Sequence, residues 1–477
     1  MAAVDLAVLG VYLLVMLGFG VYFHFKNSNV DDYYVGGRQM GKWHIGLSVV
    51  ATDVGGGFSI GLGGLGFLMG LSGSWLLFTG LLGAWISSVI LIPRIKPLSD
   101  RLGFFTFPEV LGHFFGSKAA FLAALISGIG YLGFTGSQLL AGAKLASGVF
   151  AGLELETGLI ILGLVAVIYT VMGGIKAVIY TDTIQWILLM AGLIFLAIPM
   201  AYHAVGGWEV IRTELPERFF SFSELSWQQI LNWSVTILPI WFIGMTLYQR
   251  IYASRSVSEA RKAWFIAGLF EWPVMAMMGV GLGMLARVAF QLGMFEPLGF
   301  FYGADFDAEM GLPLLLRTVL PAGLTGLVLA AYFSAILSTA DSCLMASSSN
   351  FLQDIIQSLT GISNAHRNMM WWSKGLTLLL GVLAVWLAMS LTEVLSLMLY
   401  SYAFMVSGLF VPLMAGVFFG QRDETAAIVS MIMGGGTTLI LLLLQIELPF
   451  SLDANVFGIL ASLTGFILYT KLKTKRI

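Results

Sequence analysis

The chain has little charge and almost no cysteine. Only 10% of its 477 residues are Asp, Glu, Lys or Arg, against 58% hydrophobic, and the mean hydropathy is +0.90. A soluble domain carries about 25% charged residues, so an all-α polytopic membrane protein is expected instead. One cysteine, Cys343, excludes an internal disulfide and any cysteine-built metal cage. With 24 basic and 26 acidic residues the net charge is −2, which lacks the basic footprint of a nucleic-acid partner. His24, His44, His113, His203 and His366 fall near span ends or in loops, without the His-x-x-Glu-His type of spacing that metal hydrolysis uses. No enzyme is expected. No small-residue cleavage site follows the apolar start, so it reads as a span rather than a signal peptide, and no kinase-like tail is expected after the last span.

Glycine is in excess, at 57 residues, where the usual share is about 7%. In membrane helices glycines mark close helix approach and broken helices. Hydropathy gives about thirteen spans, near 4–24, 43–70, 74–93, 119–149, 156–173, 177–204, 228–253, 262–292, 311–355, 370–390, 393–419, 425–446 and 454–471. With that count, Lys26, Arg38, Lys42, Arg94, Lys96, Arg101, Lys176, Arg255, Arg261, Lys262, Arg367, Arg422, Lys471, Lys473, Lys475 and Arg476 fall on one side. The opposite loops carry Arg212 and Arg218 among Glu209, Glu214 and Glu217, and then Asp305, Asp307 and Glu309. The positive-inside rule therefore puts the N-terminus outside and the C-terminus in the cytoplasm, in an inner (plasma) membrane. Short loops leave a single transporter domain over 1–477: a peripheral helix and loop (1–40), a core (41–420) and two peripheral helices (421–477).

Two stretches place polar residues inside apolar spans. One is Ala51-Thr52-Asp53-Val54-Gly55-Gly56-Gly57; the other is Ser334-Ala335-Ile336-Leu337-Ser338-Thr339-Ala340-Asp341-Ser342. An ionisable residue at mid-bilayer costs at least ~2.5–3.5 kcal/mol, which makes both stretches functional candidates. The glycine triplet should open its helix and free carbonyls. Ser334, Ser338 and Ser342 share a face at four-residue spacing. Neutral oxygens of this kind suit a monovalent cation, whereas divalent ions recruit more carboxylates. A second interruption is expected at Pro239, five spans further on, which would make the two halves an inverted repeat with the site between them.

Asp32-Tyr33-Tyr34-Val35-Gly36-Gly37-Arg38 with the following glycine-broken helix resembles the entry segment of the sodium/solute symporter family. Tyr169-Thr170-Val171-Met172-Gly173-Gly174 with Tyr180-Thr181-Asp182-Thr183-Ile184-Gln185 resembles that family's fifth and sixth spans. Ser338-Thr339-Ala340-Asp341-Ser342, continuing to Ser347-Ser348-Ser349-Asn350-Phe351 and Asp354-Ile355, resembles its ninth. The resemblance implies the leucine-transporter-type fold, a five-plus-five inverted repeat whose first and sixth core helices are broken, and sodium as the coupling ion. Carried over by motif, the sodium ligands would be the carbonyls of Ala51, Val54 and Ala335 and the hydroxyls of Ser338 and Thr339. In some members a second sodium is held by the equivalents of Asp182, Asp341 and Ser342 with Ser338. Asp182, near the inner end of its span, has water contact or helix capping as the alternative role.

Proline-type members carry an aspartate where Asp53 stands, and choline-type members a tryptophan in a similar Val-Gly-Gly-Gly context. Gly133 and Gly244 occupy places where choline-type members have tryptophans, so an aromatic cage for a quaternary ammonium is incomplete. The substrate pocket is expected at Asp53, Phe58, Phe134, Gln138, Trp241, Phe242, Ser401 and Tyr402. Lys144 is expected to snorkel, Arg287 and Arg317 to anchor at the interface, and Glu271 has no partner that the sequence names. The leading function is sodium-coupled import of a small polar solute, an amino acid or amine, by a protein that works as a monomer in the lipid bilayer. A sugar, carboxylate or vitamin is the alternative within the same mechanism. An ion channel is the alternative outside it, disfavoured because channels usually need an oligomeric pore ring.

Overall fold

The computed structural model describes residues 3–26, 35–150, 152–302, 305–361, 369–390 and 392–474, and among these every regular element is a helix. The side chains of Val54, Phe58 and Tyr169, and the motif start Asp32–Tyr34, lie outside the described set. Helix is the expected answer, because an apolar segment in hydrocarbon must satisfy its own backbone groups. In chain order the helices are α1 (Ala3–Lys26), α2 (Lys42–Met69), α3 (Trp75–Ile90), α4 (Ile92–Leu102), α5 (Phe107–Phe115), α6 (Ser117–Val149) and α7 (Leu155–Gly192). Then come α8 (Ile198–Ala204), α9 (Gly207–Glu214), α10 (Trp227–Ile243), α11 (Met245–Ala253), α12 (Val257–Leu269), α13 (Ala276–Gln291) and α14 (Gly311–Val319). The chain closes with α15 (Leu324–Ser349), α16 (Gln357–Thr360), α17 (Met369–Ala388), α18 (Val394–Phe419), α19 (Glu424–Leu444) and α20 (Ala454–Thr474).

Ten of the described segments are long and apolar enough to cross a membrane, and the expected thirteen differ from them in three places. The first expected span is represented only by the short apolar piece Ala3–Tyr12, and the fifth by Leu155–Ile168. The second and third merge in one apolar segment, Gly55–Ile90.

Packing shows that the merged segment reverses. Down α3, Ser88 donates to Arg261 O, Trp85 to Phe265 O, and Gly80 lies against Glu271, so α3 runs antiparallel to the chain after Val257. Along α2, Gly46 meets Ala263 and Ile266, while Gly66 meets Val280, which is parallel to it. The α7 assignment is likewise unbroken, yet Leu162 and Val165 line one cavity with Phe333 and Leu337, and Thr170 reaches Asp341. Asp182 then meets Ser338, and Leu188 and Ala191 lie with Leu327 and Ala330. Residues 162–170 and 182–191 thus both pack along α15.

Three breaks differ from the sequence expectation, one in its position and two by opening expected spans. The interruption expected at Pro239 falls at Gly244, where ψ is 114° between α10 and α11. Proline removes only its own donor and Pro239 stays helical, whereas at Gly244 the backbone leaves the helix and Tyr131 Oη accepts the freed Thr246 N–H at 3.3 Å. The expected single span 262–292 is opened at Trp272 (φ −140°, ψ 125°), the residue before Pro273. The span 311–355, whose length makes a tilt or bend the expectation, is divided at Leu320 (ψ 131°), the residue before Pro321. At Leu320 the proline ring pushes its predecessor out of the helical region.

Candidate functional site

The opening of α2 falls at Gly55, with φ 25° and ψ −164°. Thr339 Oγ1 on α15 donates to Ala51 O and Ala335 O, both at 3.1 Å. Three candidate sodium ligands therefore meet on one side of the break. A Cβ on Gly55 or Gly56 would overlap Thr339 Oγ1 or Ile336 respectively, so glycine is what lets α2 and α15 approach this closely. On the other side, Gly57 N–H donates to Gln138 Oε1 at 2.9 Å, which ties the freed backbone to α6. Carbonyls and hydroxyls at an unwound helix are the donor set that a dehydrated sodium ion takes up. These residues fit sodium as cargo.

Ser338 does not join them. Its hydroxyl donates to Asp182 Oδ1, within a cluster of which nothing is exposed. Asp182 Oδ2 accepts from Ser48 and, at 3.1 Å, from Arg250 Nη2. Arg250 Nη2 also reaches Thr52 and, at 3.0 Å, Ser342; Nε donates to Ser48 at 2.9 Å and Nη1 to Thr246 O at 3.1 Å. Water contact or capping for Asp182 is thus corrected: its side chain and that of Arg250 are both 0% exposed. Arg250 and Ser48 are participants that sequence reasoning missed, and Thr52, inside a candidate stretch, was given no role there. A basic residue six positions after Gly244, in a segment otherwise apolar enough to span, was the available signal. Of the proposed second-ion set, Ser342 lies on the guanidinium, while Asp341 faces Thr170 with Oδ1 and has Oδ2 unpartnered.

Asp53 turns the other way. Its carboxyl lies against that of Glu271, at the opening between α12 and α13, and Asp53 Oδ2 and both Glu271 oxygens are buried with no hydrogen-bond partner outside this carboxyl pair. Gly80 makes room, since a Cβ there would overlap Glu271 Oε1. Two carboxyls in contact need a proton or a cation between them. Glu271, which the sequence left without a partner, has one.

The expected substrate residues divide. Phe134 packs edge-on to Tyr402 (centroids 4.9 Å apart), Ser401 nests against Gly133, and Met398 Sδ faces Gly57 beside Gln138. These frame the break from α6 and α18. Trp241 instead points at Gly83 and meets Trp264 edge-on, and Phe242 packs edge-on to Phe410; neither joins that frame. Tyr131, hydrogen-bonded to Thr246 at 3.1 Å, stands where α10 and α11 meet α6.

Beyond the glycines that follow the break, a cavity of about 710 Å³ is lined by Gly61, Gly64, Leu65, Asp305, Asp307, Glu309 and Glu393, among others. Lys144 does not snorkel: it is buried and bonds Asp307 and Glu309, each at 2.6 Å. Glu309 also accepts from the N–H groups of Val394 and Leu395 at 2.9 and 3.0 Å, capping α18. Arg317 donates to Gly148 O, and Arg287 lies 5.1 Å from the centre of the Phe67 ring.

Two broken helices, α2 and the α10–α11 pair, meet at a buried polar centre where Arg250 reaches Ser48 and Thr52. Secondary transporters place their binding sites at such paired helix breaks. The chain belongs to the sodium:solute symporter family, whose model matches residues 33–434. It is similar to the high-affinity proline transporter PutP of Bacillus subtilis (29% identical, 89% of each chain covered) and the osmoregulated proline transporter OpuE of the same organism (26%, covering 96% of this chain and 92% of that one). Sodium/glucose cotransporter 1 of Oryctolagus cuniculus is 24% identical over 80% of this chain. Among solved structures, a Na+-coupled sialic acid symporter in a substrate-bound outward-open state superposes with a TM-score of 0.82, covering 99% of this chain and 98% of that one at 24% identity. The protein is a multi-pass membrane transporter that couples a small solute to sodium, not an enzyme.

Proposed function

We propose that the chain imports a small amino acid of proline's size together with sodium, by alternating access across a plasma membrane, as a monomer with its N-terminus outside. Residues 1–40 and 421–477 would flank a transporting core at 41–420. The observation that carries the amino-acid reading is the Asp53–Glu271 carboxyl pair. It stands at the α2 break, and among the described residues neither carboxyl forms an ion pair with Lys, Arg or His. A substrate ammonium supplies the missing positive charge, and the similarity to proline transporters points to the same class.

Sodium would be held by the carbonyls of Ala51, Val54 and Ala335 and the hydroxyl of Thr339, with Ser338 reaching it only on release from Asp182. The ion ties α2 to α15 and favours the state open to the acidic cavity at Asp305, Asp307 and Glu309. Substrate then lodges between Asp53, Gln138, Phe134, Ser401 and Tyr402, and Phe58 is assigned to the same wall. Closure on that side is followed by parting of the inner halves, where Asp182 and Arg250 link four helices. Labelled amino acids, sugars and carboxylates offered to proteoliposomes with and without an inward sodium gradient test this. Sodium-driven accumulation of an amino acid is expected, and accumulation of a sugar or carboxylate alone would replace the substrate class. Asp53→Asn should raise the substrate KM more than the sodium requirement; the reverse would move Asp53 to the ion.

A further inference from the structure

We propose that the Arg250 guanidinium is the resident cation of the Asp182–Ser342 site and stands where a second sodium ion would bind. The argument starts from the acceptors. Asp182 Oδ1 is taken by Ser338, and Oδ2 by Ser48 and Arg250. The hydroxyls of Ser48, Thr52 and Ser342 all face guanidinium nitrogens. Asp182 Oδ2 and the hydroxyls of Ser48, Thr52 and Ser342 are thus already turned toward a positive charge, and Asp182 Oδ1 is closed by Ser338.

The charge count gives the same result. Arginine stays protonated under all ordinary conditions, so the pair with Asp182 is neutral. A sodium ion added beside it would put a second positive charge on Asp182, while the neighbouring carboxyl Asp341 is turned to Thr170, in a site with 0% exposure for Asp182 and Arg250. Buried charge without a counter-charge is disfavoured strongly enough that the ion stays out. Removing the guanidinium reverses this: a buried carboxylate and several neutral hydroxyls are left, which is a donor set for one small monovalent cation.

The site at Ala51, Ala335 and Thr339 is separate, since none of its oxygens bonds Arg250 among the described contacts. Asp341 Oδ2 is also outside the guanidinium's reach, so the proposal concerns Asp182 and Ser342 only.

The test counts radiolabelled sodium bound at equilibrium per full-length chain in lipid nanodiscs, so it does not depend on transport. Arg250→Gln should bind one more sodium ion than the wild type. Arg250→Lys, which keeps the charge, should match the wild type, and adding Asp182→Asn to Arg250→Gln should abolish the extra ion. Equal counts in the wild type and Arg250→Gln, or an extra ion in Arg250→Lys, would overturn the proposal. Arg250→Met, which keeps much of the stem volume, gives the same count if Arg250→Gln fails to fold. No sodium bound by any of these proteins would contradict sodium coupling itself, and the proposal with it.

Discussion

Two polar clusters lie within a few residues of each other on α2, and they are built in opposite ways. Around Ala51 and Thr339 the oxygens are neutral and one hydroxyl serves two carbonyls at 3.1 Å, so an ion can replace a single shared hydrogen bond. Around Asp182 and Arg250 every partner is filled and the charges cancel. The first arrangement suits cargo that must leave. The second suits a contact that holds four helices until they part together. Mid-membrane polarity alone does not mark an ion site; unsaturated coordination does.

The sharpest way to break this contrast is to unbalance the saturated cluster. Arg250→Ala leaves Asp182 buried without its cation and should destabilise the protein by about 3–5 kcal/mol, read as a lowered Tm. The loss should be smaller in sodium than in choline chloride, because sodium can fill the vacated place. Next comes the geometry of the open cluster. Gly55→Ala adds a Cβ that overlaps Thr339 Oγ1 at φ 25°. Backbone strain of about 1–3 kcal/mol should cost some Tm, and sodium-driven uptake should be lost in membranes that still contain the protein.

The smallest effect belongs to an ion pair outside both clusters. Lys473 bonds Asp423 at 2.6 Å, with the lysine side chain 56% exposed. Burial alone would raise the Asp423 carboxyl, but the Lys473 bond and the N–H groups of Ala426 and Thr425 outweigh it and hold it below its ordinary range. A depressed carboxyl contributes stability above its unfolded pKa of about 3.9 and loses it as pH falls through the folded value. Lys473→Ala should therefore lower Tm only slightly at neutral pH. The difference from the wild type should vanish on acidification through that window.

The sequence carried much of this, unevenly. Composition and hydropathy were enough for the class, because a bilayer leaves so few alternatives. The α2 opening was legible in Gly55-Gly56-Gly57, since three glycines in a span have few other uses. The α10–α11 break was misplaced to Pro239, because a proline signals a lost donor and not where the chain leaves the helix. The Trp272 and Leu320 breaks were readable in principle from the following prolines, and hydropathy overrode them. Thr339, Ala51 and Ala335 met as expected, being on motifs that pack face to face. Ser338 and Asp182 did not follow, because their partner Arg250 comes from a helix whose orientation only the tertiary structure fixes. Trp241 and Phe242 failed for a related reason: sequence gives the helix an aromatic pair, but rotation about its axis sends both away from the break.

The most direct test of the account is the sodium concentration for half-maximal solute uptake in proteoliposomes containing wild type, Thr339→Ser or Thr339→Ala. If the hydroxyl at the α2 break holds the ion, Thr339→Ser should stay near the wild-type value. Thr339→Ala should need at least about tenfold more sodium, the equivalent of losing ~1.4 kcal/mol of binding. An unchanged sodium requirement in Thr339→Ala would contradict the placement of sodium at this break.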